Sequence, residues 1–269
     1  MRDPDVKLAL AVLVVVAVAG VGWYFRGEFL PQPVEQVATA PEPAIDEAVV
    51  DDGPAHPMTP PESGESVQAE LVPLPPLDDS DAYFLVALVD IFGANIDALL
   101  VKEAIIDKFV ATVDNLPRDH VAEKIRPAGR LSQRFRVDAA GSNGPIHLSA
   151  DNYQRYDPLV SKIASADIDA VADTYRRFYP LFQQSYERLG YPNGYFNDRV
   201  IEVIDHLLAT PPHPDEPIQL VRPHVLYEFA DSRLEALSSG QKLLLRMGPE
   251  HTATVKRFLR DLRAELAHQ

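Results

Sequence analysis

The chain has no cysteine among its 269 residues. Disulfides, thiolate metal sites, a cysteine nucleophile and a cysteine-linked lipoprotein anchor are therefore excluded, and redox chemistry says nothing about compartment. Basic residues are missing over a long stretch, with no Lys or Arg between Arg26 and Lys102. Fifteen of the 40 acidic residues fall in that gap. The other 25 face 25 basic residues, so the net charge of −15 belongs to the gap. The rest of the chain is close to neutral and sets up no global field for nucleic acid. Aromatics are absent from residues 31–76. Nowhere is there a G-x-S-x-G elbow, a nucleotide or cofactor signature, or a repeat of fixed period.

One apolar run stands out. Leu8 to Phe25, LALAVLVVVAVAGVGWYF, is 18 uncharged residues long and ends in Trp23 and Tyr24. That is the short end of what spans a bilayer, and the closing aromatics suit an interface. Arg2 and Lys7 precede the run and Arg26 follows it. The slight bias places the N-terminus in the cytoplasm. A single-pass inner-membrane anchor over residues 1–26, with the C-terminal part in the periplasm, is the expectation. A cleaved signal peptide is the alternative, since Ala17 and Ala19 form an A-x-A pattern, but the apolar run continues six residues past it. Either way the remainder is exported.

Residues 27–76 form an acidic tether. Eleven of the 24 prolines lie between 31 and 76. Such a segment buries too little apolar surface to offset its ordering entropy, and a coil of this length spans about 40 Å. Disorder and protease sensitivity are expected for 31–76, with 77–269 as the folded domain.

That domain reads as all-α, with seven or eight helices and one possible short β-hairpin. Asp78, Asp79, Ser80 and Asp81 offer N-caps before YFLVALVDIFG, and Gly93 ends that helix. Asn95 or Asp97 is predicted to open a second helix carrying Ile105, Ile106, Phe109, Val110 and Val113. QRFRVDA and PIHLSA flank Ser142-Asn143-Gly144 and suggest the hairpin. From Asp167, Val171, Tyr175, Phe178, Phe182 and Tyr186 recur at helical spacing, with Pro180 expected to kink or split the helix. Asn197 or Asp198 is predicted to cap RVIEVIDHLLAT. Residues 213–221 read as a connector, HVLYEF as a short helix, and RLEALSSGQKLLLRM as one helix stopped by Gly248. Pro249 starts the last helix.

The stretches 179–211 and 222–251, with TVDNLPR at 112–118 and NYQRYDPLV at 152–160, resemble a bacterial family of membrane-anchored proteins. It is the domain of unknown function numbered three thousand and fourteen. The resemblance covers about residues 74–266. It implies an exported, anchored domain and carries over no catalytic residues.

Candidate sites have plain structural alternatives. Glu202 with His206, and His224 with Glu228, each sit four apart, as metal ligands on a helix face could, but no third ligand is implied. Asp205-His206 hints at half a catalytic triad, yet neighbours on a helix diverge. No catalytic or metal residue and no cofactor is therefore assigned. The aromatic stripe Tyr175, Tyr179, Phe182 and Tyr186 is either core or a groove for an extended peptide or glycan. The ligand-facing residues are expected at two places where polar and aromatic groups meet helix starts: Tyr195, Asn197 and Arg199, then Arg222, Tyr227 and Glu228. Tyr195 and Tyr227 would stack, while Arg199 and Arg222 would hold an anion. The expected function is a non-enzymatic binding or scaffold domain, anchored in the bilayer through 8–25 and facing an envelope protein or the cell wall, not nucleic acid. The alternative is an envelope-polymer hydrolase using Asp198, Glu202 or Glu228 as its carboxylates.

Overall fold

The structure is a computed structural model that describes residues 53–58, 73–129, 133–139, 144–224 and 226–267. The apolar run at 8–25 and most of the tether lie outside the described residues. Among the described residues no helix is long and apolar enough to cross a membrane.

Eight α-helices and four short strands occur among the described residues. Helix α1 (Asp81–Phe92) ends at Gly93, whose φ of 78° is open to glycine at little cost. The second helix starts later than the sequence suggests. Residues Ala94–Leu99 form a 3-10 turn, and α2 runs from Ile105 to Asn115. Its first amides are capped from outside: Asp81 of α1 accepts from Ala104 N at 2.7 Å and Ile105 N at 2.8 Å. Helix α3 (Asp157–Ala164) leads to α4 (Ile168–Arg188), which passes through Pro180 as one 21-residue helix rather than splitting.

Helix α4 is the spine. Its buried positions Val171, Tyr175, Phe178, Phe182 and Tyr186 fall three or four apart, so they form one face. That face meets aromatics from three helices. Phe178 lies 4.8 Å from Phe84 of α1, and Phe182 lies 5.0 Å from Phe109 of α2, between ring centroids. Phe182 also lies 6.0 Å from Phe196 of α5 (Phe196–Leu208). Tilted aromatic contacts of this kind add about 0.5–1.5 kcal/mol each beyond their buried area.

Helicity is not the whole fold. The expected hairpin exists as β1 (Val137–Ala139) and β2 (Ile146–Leu148), but it is half of a four-stranded antiparallel sheet, β1-β2-β3-β4. β3 (Gln219–Val221) lies in the expected connector, and β4 (Glu228–Phe229) in the expected short helix. The sheet is registered by Ile146↔Leu220 and Leu220↔Phe229. It closes over a second hydrophobic cluster of Leu148, Ile218, Leu220, Phe229 and Leu245. Burial of that cluster decides the conformation here, and strands of two or three residues are too short to show a period in the sequence.

The expected single helix over 233–247 is divided. α6 (Ser232–Glu235) ends early, and Ser238 caps α7 (Ser239–Met247) in a capping box with Gln241. Gly240 lets this helix start approach closely, since a Cβ there would lie 2.6 Å from Leu207 Cδ2 and 3.2 Å from the Leu116 carbonyl oxygen. Gly248 separates α7 from α8 (Pro249–Ala267), which begins at its proline as expected.

Candidate functional site

The start of α5 is where the sequence-named residues gather. Its N-cap is Tyr195, in extended backbone and without a side-chain cap bond, not Asn197 or Asp198. The cap comes from α4. Gln183 Oε1 accepts from Phe196 N at 2.8 Å, and Gln183 Nε2 donates to Gly194 O at 2.8 Å. The Tyr179 hydroxyl donates to Gln183 Oε1 at 3.1 Å and takes the Asn197 amide. Burial pushes the Tyr179 pKa up, and the acceptor role opposes that shift. The first amides of α5 are thus already occupied, and the anion site expected at this helix start has protein groups in it.

Freed from capping, Asn197 and Asp198 reach elsewhere. Each contacts residues 53–58, Gly-Pro-Ala-His-Pro-Met, from the segment expected to be tether. Asp198 accepts from Ala55 N through Oδ2 at 2.9 Å and from His56 N through Oδ1 at 2.7 Å. Asn197 is fully buried, and its Nδ2 donates to His56 O at 2.9 Å and to Leu266 O of α8 at 3.4 Å. Met58 packs on the main core. Beneath this contact, Asn197 Oδ1 and the Tyr175 hydroxyl are buried without a hydrogen-bond partner among the described residues. Burial, with Tyr179 and Asp198 nearby, holds the Tyr175 pKa well above its ordinary value.

Arg199 is turned inward. Its Nε donates to Asp114 Oδ1 at 3.0 Å, one terminal nitrogen to Asp114 O at 2.8 Å, and the other to Glu202 at 2.8 Å. Asp114 is 3% exposed and also accepts from Arg118 at 2.7 Å and from the Tyr191 hydroxyl at 3.3 Å. This network joins α2 to α5. The neighbouring Tyr186 hydroxyl is pushed up to about 12 by burial and by the Asp114 charge.

The second expected group sits on the sheet. Arg222 lies 5.3 Å above the Tyr227 ring, and Tyr227 lies 5.7 Å from Phe135. Glu228 pairs with Val221 across β3 and β4. Tyr227 packs on the smaller cluster, whereas α5 belongs to the main one. The carboxylates divide in the same way: Asp198 and Glu202 on α5, Glu228 on the sheet.

His206 does not turn to a metal partner. Its Nε2 lies 2.8 Å from Ser238 Oγ, the capping hydroxyl of α7. Because Ser238 Oγ already accepts from Gln241 N at 3.2 Å, its own proton is available to a neutral imidazole. Burial first, then the Arg199 charge, lowers the His206 pKa, against the opposing pull of Glu202. Asp205 is held by both Nε and a terminal nitrogen of Arg263. Among the described residues no group of three or more His, Asp and Glu side chains gathers as a metal would require.

Residues 53–58 and Gln183 are the participants that the sequence did not bring forward, while Tyr179, expected on the aromatic stripe, takes part here in a cap. One signal was present for the first. Residues 53–61 are the longest stretch of the tether without a carboxylate, as a contact beside Asp198 requires.

These contacts define a mainly helical domain with a small antiparallel sheet that holds a proline-bracketed segment of its own chain at a helix start. The family described as "Protein of unknown function (DUF3014)" matches residues 105–263, more than half of the chain, and the chain belongs to that family. No curated protein and no solved structure matches.

Proposed function

We propose that this chain is a membrane-anchored envelope protein whose domain is a non-enzymatic binding or scaffold module. Residues 8–25 anchor it in the inner membrane with the N-terminus in the cytoplasm. The tether and domain stand outside, facing an envelope protein or the cell wall. One observation carries the binding reading: Asp198 and Asn197 hold a bent peptide segment entirely through its backbone amides and carbonyl. Asp198, a carboxylate that the hydrolase alternative would need, is engaged in that contact, and Glu202 is engaged with Arg199.

The test is made in intact cells. The protein should fractionate with the inner membrane and keep residue 1, and a photo-crosslinker at Tyr195 should yield a discrete adduct with an envelope component. A mature N-terminus at Gly20, or recovery in the soluble fraction, would sink the anchor. Absence of any adduct from Tyr195 and Tyr227 alike would remove the support for a binding surface.

A further inference from the structure

We infer that the start of α5 is a binding site for a proline-bracketed peptide of a partner protein, and that residues 53–58 are its resident occupant, supplied in cis. This inference rests on the binding reading above and names its ligand.

The segment reads Pro54-Ala55-His56-Pro57. Proline has no amide hydrogen, so this window carries two backbone donors, and Asp198 takes both. Successive amides at a bend form a concavity that suits an anion, and here a carboxylate fills it. The bend falls at Ala55 and His56. The next carbonyl, His56 O, is taken by Asn197 Nδ2. The flanking prolines therefore fix the register, since a shift by one residue would bring a nitrogen without hydrogen to one carboxylate oxygen. These polar contacts read backbone atoms alone, so they select prolines at two positions and tolerate varied side chains between them.

The occupant is partly open to solvent. Ala55 and Pro57 are exposed, and the ties of the segment include three hydrogen bonds and the packing of Met58. A ligand on a short linker sees an effective concentration on the order of millimolar, which keeps even a weak cis contact filled. A partner segment of micromolar affinity competes with it. Asn197 Oδ1 and the Tyr175 hydroxyl, buried without a partner among the described residues, leave polar capacity that residues 53–58 do not use.

Release has a geometric consequence. With the segment seated, 26 residues lie between Arg26 and Gly53, where the seated segment begins. Once it is displaced, 46 residues lie between Arg26 and Pro73. The maximal reach from the anchor rises from about 95 Å to about 165 Å at full chain extension. Partner binding would then let the domain stand further from the membrane.

The experiment uses the full chain in detergent and a fluorescein-labelled Gly-Pro-Ala-His-Pro-Met peptide, read by anisotropy. The double variant Ala55→Pro/His56→Pro removes both cis amides and should bind the probe at least tenfold more tightly than the wild type. Adding Asp198→Asn should weaken that binding at least tenfold, because an amide nitrogen then faces a backbone donor. A probe with proline at both central positions should not bind. The proposal is overturned if the double variant melts as the wild type does yet shows no saturable binding at millimolar peptide, or if binding ignores Asp198→Asn. It is overturned equally if the double variant loses its cooperative melt, which would make the segment a fixed part of the fold. A wild-type dimer in sedimentation that the double variant abolishes would assign the site to a second copy instead of a partner. None of these readouts depends on location, so fractionation decides the anchoring separately.

Discussion

Arg199 and Asp114 connect the candidate site to the core one side chain at a time. The Arg199 side chain is 17% exposed and that of Asp114 4%. Removing the cation from such a pair leaves a buried carboxylate with fewer donors. Arg199→Ala is expected to cost about 3–5 kcal/mol of stability. Arg199→Lys should recover part of it, because a single ammonium cannot span the carboxylate, the Asp114 carbonyl and Glu202 together. Urea denaturation measures both, and a loss below about 1 kcal/mol for the alanine variant would reduce the network to an ordinary surface pair. Gly240 makes a second case. The Leu207 methyl that a new Cβ would meet can shift, but the Leu116 carbonyl, which accepts the Gly240 amide, is held in place. Gly240→Ala should cost about 1–3 kcal/mol through overpacking, seen as a lowered melting temperature with an unchanged circular dichroism spectrum.

At the scale of elements, two helix starts in this fold are capped by side chains from other helices, whereas Asp167, Asp231 and Ser238 cap α4, α6 and α7 from their own N-cap positions. Asp81 of α1 caps α2, and Gln183 with Tyr179 of α4 caps α5. Truncating such a cap orphans an amide, so Gln183→Ala is expected to destabilise by about 1–2 kcal/mol. Gln183→Glu should restore only part of that, since its carboxylate accepts from Phe196 N but meets the Gly194 carbonyl without a donor. Equal stability of the two variants in denaturant would show that only one of the two bonds matters. The same feature explains what could be read in advance. The helices α4, α5 and α8 were legible because their apolar residues repeat at 3.6-residue spacing, and Gly93 and Gly248 mark stops that the chain obeys. The caps of α2 and α5 were not, because local rules look three residues ahead, whereas Gln183 reaches Phe196 over 13 residues. Asn197 and Asp198 look like caps in the sequence and act instead on residues more than 140 positions away. The strands β3 and β4 were missed for a related reason: their conformation comes from Leu148 and Leu245, which no local window contains.

For the molecule as a whole, the clearest handle is acid. His206 and His120 both have lowered pKa values, burial being the first cause in each case, with Arg199 and Arg126 adding to it. A histidine with a depressed folded pKa stays neutral in the folded chain while the unfolded chain takes up a proton near pH 6.5. Between the two pKa values the unfolded state binds more protons, so stability rises with pH there. Each histidine therefore contributes fully above about pH 6.5, and the contribution is lost as pH falls from there towards the folded pKa. Asp231, held at about 2 by hydrogen bonds from Arg233, loses its contribution only at more acid pH, between the ordinary carboxylate pKa and its own. Its share is constant above the ordinary carboxylate range, so it does not affect the interval from pH 7 to 5. The expected outcome is a urea midpoint that falls over that interval. His206→Gln, which can still meet Ser238 Oγ but does not titrate, should flatten the fall without abolishing it, leaving the part due to His120. If the midpoint were level from pH 7 to 5 in the wild type, the contact of His206 with Ser238 would tolerate protonation, and the neutral imidazole assigned to it would be wrong.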